Sequence, residues 1–189
     1  MATEATLPQT ETLLTGEDVL ALGDIGPAEL VAGRLVPMSP TGFEHGNYER
    51  IISEHLSAFV KSRKLGKVAV GEVGIYTRRN PDTTRAADVV YISQGRLAQR
   101  KSKRGYLDVA PELVVEVLSP DDAWSDVTQK LREYFAAGVA LVWVTDPASR
   151  AVYAYRSLTD VREFSGADTL TGDDVLPGFS VSVDKFFEE

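Results

Sequence analysis

Three acidic residues lie inside apolar stretches of this 189-residue chain. Glu72 is in VAVGEVGIY, Asp88 in RAADVVYI and Glu116 in LVVEVL, with apolar neighbours on both sides of each. An ionised carboxylate in a buried strand is costly unless a partner compensates its charge. If the three strands are neighbours, the carboxylates converge, and a hard divalent cation such as Mg²⁺ fits between them. The alternative is an acid that faces solvent or lies on an edge strand, and for Glu72 the two interpretations are evenly balanced.

Two residues that can carry positive charge accompany these acids. Lys130 follows Glu116 by fourteen residues and falls on the edge of the apolar stripe of a predicted helix. A lone lysine there ordinarily extends to solvent, but beside three strand acids we interpret Lys130 as a functional cation. His45, in TGFEHGNY, stands at the start of another predicted helix. It could bind phosphate or orient water, although a hydrogen bond to the backbone is the commoner role at such a position.

Composition limits the classes of protein that remain. The chain has no cysteine, so a metal must be bound by oxygen or by one of the two histidines. It contains no Walker lysine motif, dinucleotide glycine fingerprint or serine elbow, which disfavours nucleotide switches, Rossmann dehydrogenases and α/β-hydrolases. There is no signal-peptide pattern and no apolar run near the ~20 residues that span a bilayer, so we expect a cytoplasmic protein with no membrane partner.

Charge is unevenly distributed along the chain, whose net charge is -8. Residues 1–30 and residues 157–189 each carry -6, which leaves residues 31–156 with +4. Five of the basic residues lie in RLAQRKSKR, from Arg96 to Arg104, which has no apolar spacing and predicts an exposed loop. A solvated loop is the simplest interpretation of such a run.

The elements that must position these residues can be predicted from periodicity and from turn residues. Asn47 is a plausible N-cap of a helix that begins after HGN, with Gly66 as its C′ residue, and a second helix runs from roughly Asp122 to Ala137 and is closed by Gly138. The predicted strands are in AELVAGRLVPMSP, KVAVGEVGIYT, RAADVVYIS, ELVVEVL, VALVWVTD, RAVYAYRS, VREFSG and the C-terminal VLPGFSVSVDKFF. This order predicts an α/β or α+β domain with a mixed central sheet flanked by helices and extra antiparallel strands at both ends. We predict a flexible tail over residues 1–12 and one domain over residues 13–189.

Four segments together resemble a known family. RAADVVYIS, PELVVEVLSPDD, KLREYFAAGVALVWVTDPASRAVYAYR and LPGFSVSVDKFF resemble the Uma family of restriction-endonuclease-like proteins, part of the PD-(D/E)XK nuclease superfamily. The resemblance runs from about AELVAGRLVPMSP to the C-terminus and implies a restriction-endonuclease-like core. It also implies that Asp88 is the aspartate of the PD motif and Glu116 the acid of the second motif.

The chain departs from the superfamily pattern at two positions. Ala87 replaces the proline before Asp88, which should be tolerable because that proline holds no ligand. Leu118 stands where the lysine of the second motif is expected. The chain is similar to those nuclease branches in which the lysine has moved to the following helix, and Lys130 matches that place.

The resemblance implies metal-assisted hydrolysis of phosphodiester bonds in DNA. Asp88, Glu116 and Glu72 would bind Mg²⁺ or Mn²⁺, which would activate a water and polarise the scissile phosphate. Lys130 would position that water and stabilise charge on the phosphoryl oxygens. His45 joins the site by the same resemblance.

The implied partner is DNA, and two other functions stay open. The Arg96 to Arg104 stretch would contact the DNA backbone without reading sequence, and a homodimer would serve the cutting of two strands. One alternative is a degenerate nuclease fold that acts as a nucleic-acid-binding or assembly module. The other is a two-carboxylate hydrolase of sugars, which the acids alone permit but which leaves Lys130 and the basic stretch without a role.

Overall fold

The structure is a computed structural model, and residues 12–188 of it are described here. The helices are α1 (Gly16–Ala21), α2 (Phe43–Arg63), α3 (Gln94–Leu97) and α4 (Trp124–Ala137), with a 3₁₀ turn at Val183–Phe186. The strands are β1 (Ala28–Val31), β2 (Arg34–Pro37), β3 (Gly66–Arg78), β4 (Thr83–Ser93), β5 (Leu113–Val117), β6 (Leu141–Asp146), β7 (Ala151–Tyr155), β8 (Val161–Ser165), β9 (Thr169–Gly172) and β10 (Leu176–Ser182). The predicted N-terminal tail lies outside the described residues except for its last position.

A mixed sheet of eight strands forms the centre of the molecule. Its order is β2-β1-β4-β5-β6-β7-β8, and β3 pairs with β4 along most of their length. β5 and β6 are parallel, which requires the crossover that α4 supplies, and the other strand pairs in the described chain are antiparallel. β9 and β10 make a separate antiparallel pair. The predicted mixed sheet with extra antiparallel strands at both ends is confirmed.

Both faces of the sheet are covered, which explains the nearly continuous apolar sequence of β4 and β5. Every residue of β5 is buried, and so is every residue of β4 except the last. On one face, Val89 and Val115 pack in a core with residues of α2 and the C-terminal segment. On the other face, Val90 and Val114 pack in a core with residues of α4. The two helices that carry site residues therefore belong to opposite layers.

The ends of both long helices differ slightly from the prediction. α2 begins five residues earlier than expected, at Phe43, with Gly42 instead of Asn47 as N-cap. Asn47 lies inside the helix, where its side-chain oxygen accepts hydrogen bonds from Arg50. The helix ends with Lys64 in the left-handed region (φ 54°), and Gly66 already belongs to β3.

α4 matches its prediction more closely, because it ends at Ala137 with Gly138 as a left-handed C-cap (φ 98°). It begins at Trp124, two residues later than expected. Trp124 is 60% exposed, and the first buried residue of the helix is Val127, one turn later. No helix among residues 12–188 is both long enough and apolar enough to cross a membrane.

Candidate active site

Asp88 lies where β4 and β5 separate. Their regular pairing ends at Val89 and Val115, and just beyond it the Asp88 carboxylate accepts a hydrogen bond from the Val117 N–H at 2.6 Å. Asp88 is only 8% exposed. Burial and the nearby charge of Glu116 raise the pKa of Asp88 to about 8, although the Val117 N–H and His45 oppose the shift.

Glu116 is held on both carboxylate oxygens by residues of α4. Lys130 Nζ donates to Oε2 at 3.0 Å, and the Tyr134 hydroxyl donates to Oε1 at 2.6 Å. Lys130 Nζ also lies 3.5 Å from Oε1 of Glu29 on β1. Burial lowers the pKa of Lys130, but the charges of Glu116 and Glu29 outweigh burial and raise that pKa above its usual range. The lysine on the helix thus reaches the acid on the strand as a cation.

His45, in the first turn of α2, reaches the same place from the opposite layer. Its Nε2 lies 2.8 Å from the Val117 carbonyl oxygen and 3.5 Å from Oδ2 of Asp88. Its Nδ1 lies 2.8 Å from Oε1 of Glu49, one turn further along the helix. Burial lowers the pKa of His45, but Glu49, Asp88 and the Val117 carbonyl outweigh it and raise the pKa to about 9. Both ring nitrogens face acceptors, which suits the doubly protonated imidazolium.

One set of donor atoms around His45 has the chemistry of a metal site. Ligand atoms of His45, Glu49 and Asp88 all lie within 4.8 Å of one another. A nitrogen with two carboxylates suits Mn²⁺, whereas Mg²⁺ favours oxygen ligands. The metal ligands predicted from the sequence are Asp88, Glu116 and Glu72. Only Asp88 belongs to both sets, because the other two members of this set are His45 and Glu49.

Glu72 stays apart from this cluster. The pairing of β3 with β4 shifts between Val70 and Val73, so that Gly71 and Glu72 together face Asp88 in a bulge. Both bulge residues have positive φ, 88° and 55°. The Glu72 side chain is partly exposed and makes no hydrogen bond or ion pair among residues 12–188. The bulge brings the Glu72 backbone next to Asp88 without joining their side chains.

A buried network that sequence reasoning missed supports Lys130. Arg85 of β4 bonds Glu29 at 2.6 Å and Glu133 of α4 at 2.6 Å and 3.0 Å. Glu29 also accepts from the Ala86 N–H at 3.0 Å. Glu29 carried the same signal as the three acids, since it lies in the strand-like AELV. Tyr134 and Glu49, each four residues after Lys130 or His45, follow from helical spacing once those two are chosen.

An open cavity adjoins Glu116 and Lys130 between the start of α4 and the end of β5. Asp122 and Asp126 contribute acidic groups to its lining. The remaining lining residues are Val117, Leu118, Val127, Leu131, Tyr134 and Val144. The Glu116–Lys130 pair therefore forms part of the wall of this cavity.

The Arg96 to Arg104 stretch is only partly the free loop that was predicted. Arg96 lies in α3, and its Nη1 donates to the carbonyls of Ala110, Pro111 and Gly138. Arg96 is therefore a structural residue that ties α3 to two connections. The basic side chains that are exposed to solvent are those of Lys101, Lys103 and Arg104.

Comparison with known proteins identifies the fold of the chain and the family to which it belongs. The chain has a nuclease-like fold: it matches the crystal structure of a putative nuclease belonging to DUF820 from Anabaena variabilis ATCC 29413 with a TM-score of 0.76, at 18% sequence identity, over 92% of this chain and 97% of that one. Residues 17–184 match the model of the Uma2 family, described as putative restriction endonucleases. The chain belongs to this family, which confirms the resemblance seen in its sequence. The comparison with curated proteins gave no match.

Proposed function

We propose that this protein is a metal-dependent endonuclease that hydrolyses phosphodiester bonds in DNA. The observation that supports this most directly is the 3.0 Å contact between Lys130 on α4 and Glu116 on β5, beside the Asp88 carboxylate of β4. These are the three residue types of a PD-(D/E)XK site, with the lysine on the helix instead of the strand. Membership of the Uma2 family supports the same activity.

The metal would be held around Asp88. His45 and Glu49 supply one set of further donors, and Glu116 and Glu72 are the set predicted from the sequence. A Mg²⁺ or Mn²⁺ held there would lower the pKa of a water and polarise the scissile phosphate. The buried carboxylates of Asp88 and Glu116 repel each other, and a cation between them would relieve that repulsion.

Lys130 has the donors that phosphodiester hydrolysis needs. An ammonium carries three N–H groups, of which one donates to Glu116, while Glu29 lies 3.5 Å away as an ion-pair partner. A further N–H can donate to the attacking water or to a phosphoryl oxygen, whose negative charge grows in the transition state. Because the charges of Glu116 and Glu29 raise the pKa of the half-buried Lys130, it supplies this charge throughout the working pH range.

The exposed basic residues of the Arg96 to Arg104 stretch would contact the DNA backbone. Lys101, Lys103 and Arg104 lie in one exposed segment and can pair with phosphates, whereas Arg96 is committed to carbonyl groups. Such contacts do not depend on base sequence, and they weaken steeply as the salt concentration rises. A homodimer would place two sites on the two strands, and light scattering of the purified protein would detect it.

The decisive experiment is a cleavage assay on DNA with Mg²⁺, Mn²⁺ or EDTA. We expect cleavage with either metal and none with EDTA. Glu116→Gln and Lys130→Met should each lower the rate at least about 100-fold, because each removes a charged group at the reaction centre. Glu54→Gln is the control, since Glu54 is exposed on α2 and its partner in an ion pair is the exposed Arg50. Inert wild-type protein, or full activity of both site variants, would contradict the proposal.

Binding of Mn²⁺ by variants would identify the ligands. Asp88→Asn should weaken Mn²⁺ binding under either ligand set, while Glu49→Gln and Glu72→Gln separate the two sets. Calorimetric titration of the three variants measures this directly. The degenerate nuclease module remains the second candidate, because both Glu116 oxygens already have protein partners. Protein that binds DNA but cleaves none with any metal would favour that candidate.

A further inference from the structure

Tyr134 is a fully buried tyrosine whose hydroxyl bonds a candidate catalytic acid. We propose that Tyr134 is a positioning residue that fixes the Glu116 carboxylate for the hydrolysis proposed above, an inference that rests on that function. Its hydroxyl donates to Oε1 of Glu116 at 2.6 Å, a short distance typical of a hydrogen bond to an ionised acceptor.

The two bonds to Glu116 come from one face of one helix. Tyr134 and Lys130 are four residues apart on α4, so their side chains lie one above the other. One residue bonds Oε1 and the other bonds Oε2, which removes the freedom of the carboxylate to rotate about its last bond. The orientation of the Glu116 carboxylate is therefore determined by the position of α4 on the sheet.

The positions of Tyr134 and Lys130 are restrained by their own contacts. The ring of Tyr134 packs in the core beneath α4 with Val114 and Leu131 and has no exposed surface. Lys130 is further restrained by Glu29, whose carboxylate is bonded by Arg85 and by the Ala86 N–H. The packed core restrains both side-chain torsions of Tyr134. The hydrogen bond to Glu116 therefore costs little additional conformational entropy, whereas an exposed tyrosine would lose more on forming it.

Removal of the hydroxyl alone should disturb Glu116 and little else. Tyr134→Phe keeps the ring and its packing, but leaves Oε1 without this donor in a buried place. The carboxylate is then held on one oxygen only. Partners that orient the residues of a metal site typically change affinity or activity by about 10- to 100-fold when they are lost.

The test compares Tyr134→Phe with Tyr155→Phe. Tyr155 is a buried tyrosine of the same core, and its hydroxyl makes no hydrogen bond among residues 12–188, so it controls for loss of a hydroxyl as such. For Tyr134→Phe we expect kcat for DNA cleavage to fall about 10- to 100-fold with KM for DNA nearly unchanged, because the hydroxyl acts on Glu116 and not on DNA binding. Tyr155→Phe should leave both constants unchanged. Equal kinetics of the two variants would overturn the assignment.

Crystal structures of both variants give a readout that needs no activity. The proposal expects the Glu116 carboxylate of Tyr134→Phe to leave its orientation toward Lys130, with α4 unmoved, and that of Tyr155→Phe to keep it. An unchanged carboxylate in Tyr134→Phe would overturn the clamp even if the wild type proves inert. Inert wild type with a displaced carboxylate would instead refute the nuclease function and leave the clamp standing.

Discussion

At the scale of single residues, the site brings together more acidic than basic side chains in a small and mostly buried volume. Asp88, Glu116 and Glu49 face His45 and Lys130. The protein limits the repulsion by retaining protons: the pKa of Asp88 is raised to about 8 and that of His45 to about 9. The same groups are free in the unfolded chain and lose their protons at lower pH, so the stability of the metal-free protein depends on pH.

The sign of that dependence follows from both shifts. A His45 pKa raised from 6.5 to about 9 gives stability that is complete below pH 6.5 and is lost as the pH rises through 9. The raised pKa of Asp88 acts in the same direction up to about pH 8. In EDTA, the free energy of unfolding should therefore fall by about 4–5 kcal/mol between pH 6.5 and 9 when both contributions are added, since one pKa unit corresponds to about 1.4 kcal/mol.

Urea titrations followed by tryptophan fluorescence at the two pH values measure this fall. His45→Gln should show a smaller fall than the wild type, because only the Asp88 contribution remains. A free energy of unfolding that does not change over this range in the wild type would contradict the assigned charge states.

At the scale of elements, an ion network joins β1, β4 and α4. Arg85 is 9% exposed and binds Glu29 and Glu133 at the same time. Loss of one member of a buried ion network is strongly destabilising, because it leaves unpaired buried charge. We therefore expect the network to fix the distance from α4 to the sheet, on which the Lys130–Glu116 contact depends.

Arg85→Met should lower the free energy of unfolding by about 3–5 kcal/mol. Its matched control is Arg50→Met on α2, since Arg50 and Glu54 are an exposed pair worth no more than about 0.5 kcal/mol. Chemical denaturation of the two variants measures the difference. Equal stability of Arg85→Met and Arg50→Met would show that the network contributes nothing net.

Element types could be predicted well from the sequence, and their contacts less well. The strands of Asp88 and Glu116 and the helix of Lys130 follow from the apolar pattern, and the end of that helix follows from the preference for glycine at Gly138. The prediction for the start of α2 was wrong. The N-cap of this helix is Gly42, which makes no side-chain capping bond, so the sequence carries no capping residue that would mark the start. The role of Arg96 was also missed, because the carbonyls that it binds are distant in sequence and carry no residue-type signal.

At the scale of the whole molecule, the C-terminal segment completes the core opposite α4. Phe186 is fully buried in the 3₁₀ turn, with its ring centroid 6.4 Å from that of Trp143 of β6 and 5.8 Å from that of His55 of α2. The end of the chain therefore packs against the same face of the sheet as α2, the helix that carries His45.

Phe186→Ala should destabilise the protein by about 3–5 kcal/mol, because it removes a large buried side chain and leaves a cavity. Phe43→Ala is the matched control, since Phe43 is 84% exposed, and should change stability by less than about 0.5 kcal/mol. Thermal and urea denaturation measure both. A small effect of Phe186→Ala would mean that the C-terminal turn is not part of the cooperative core.

The connection Leu118 to Ala123 separates Glu116 from Lys130 along the chain but not in space. Extra residues in this connection would widen the gap in the sequence and leave the 3.0 Å contact unchanged, as long as α4 keeps its place on the sheet. A pattern search with a fixed gap would miss relatives of that kind. A search that requires a carboxylate on one strand and an ammonium on the next helix would find them, because the motif is defined by the contact between two layers.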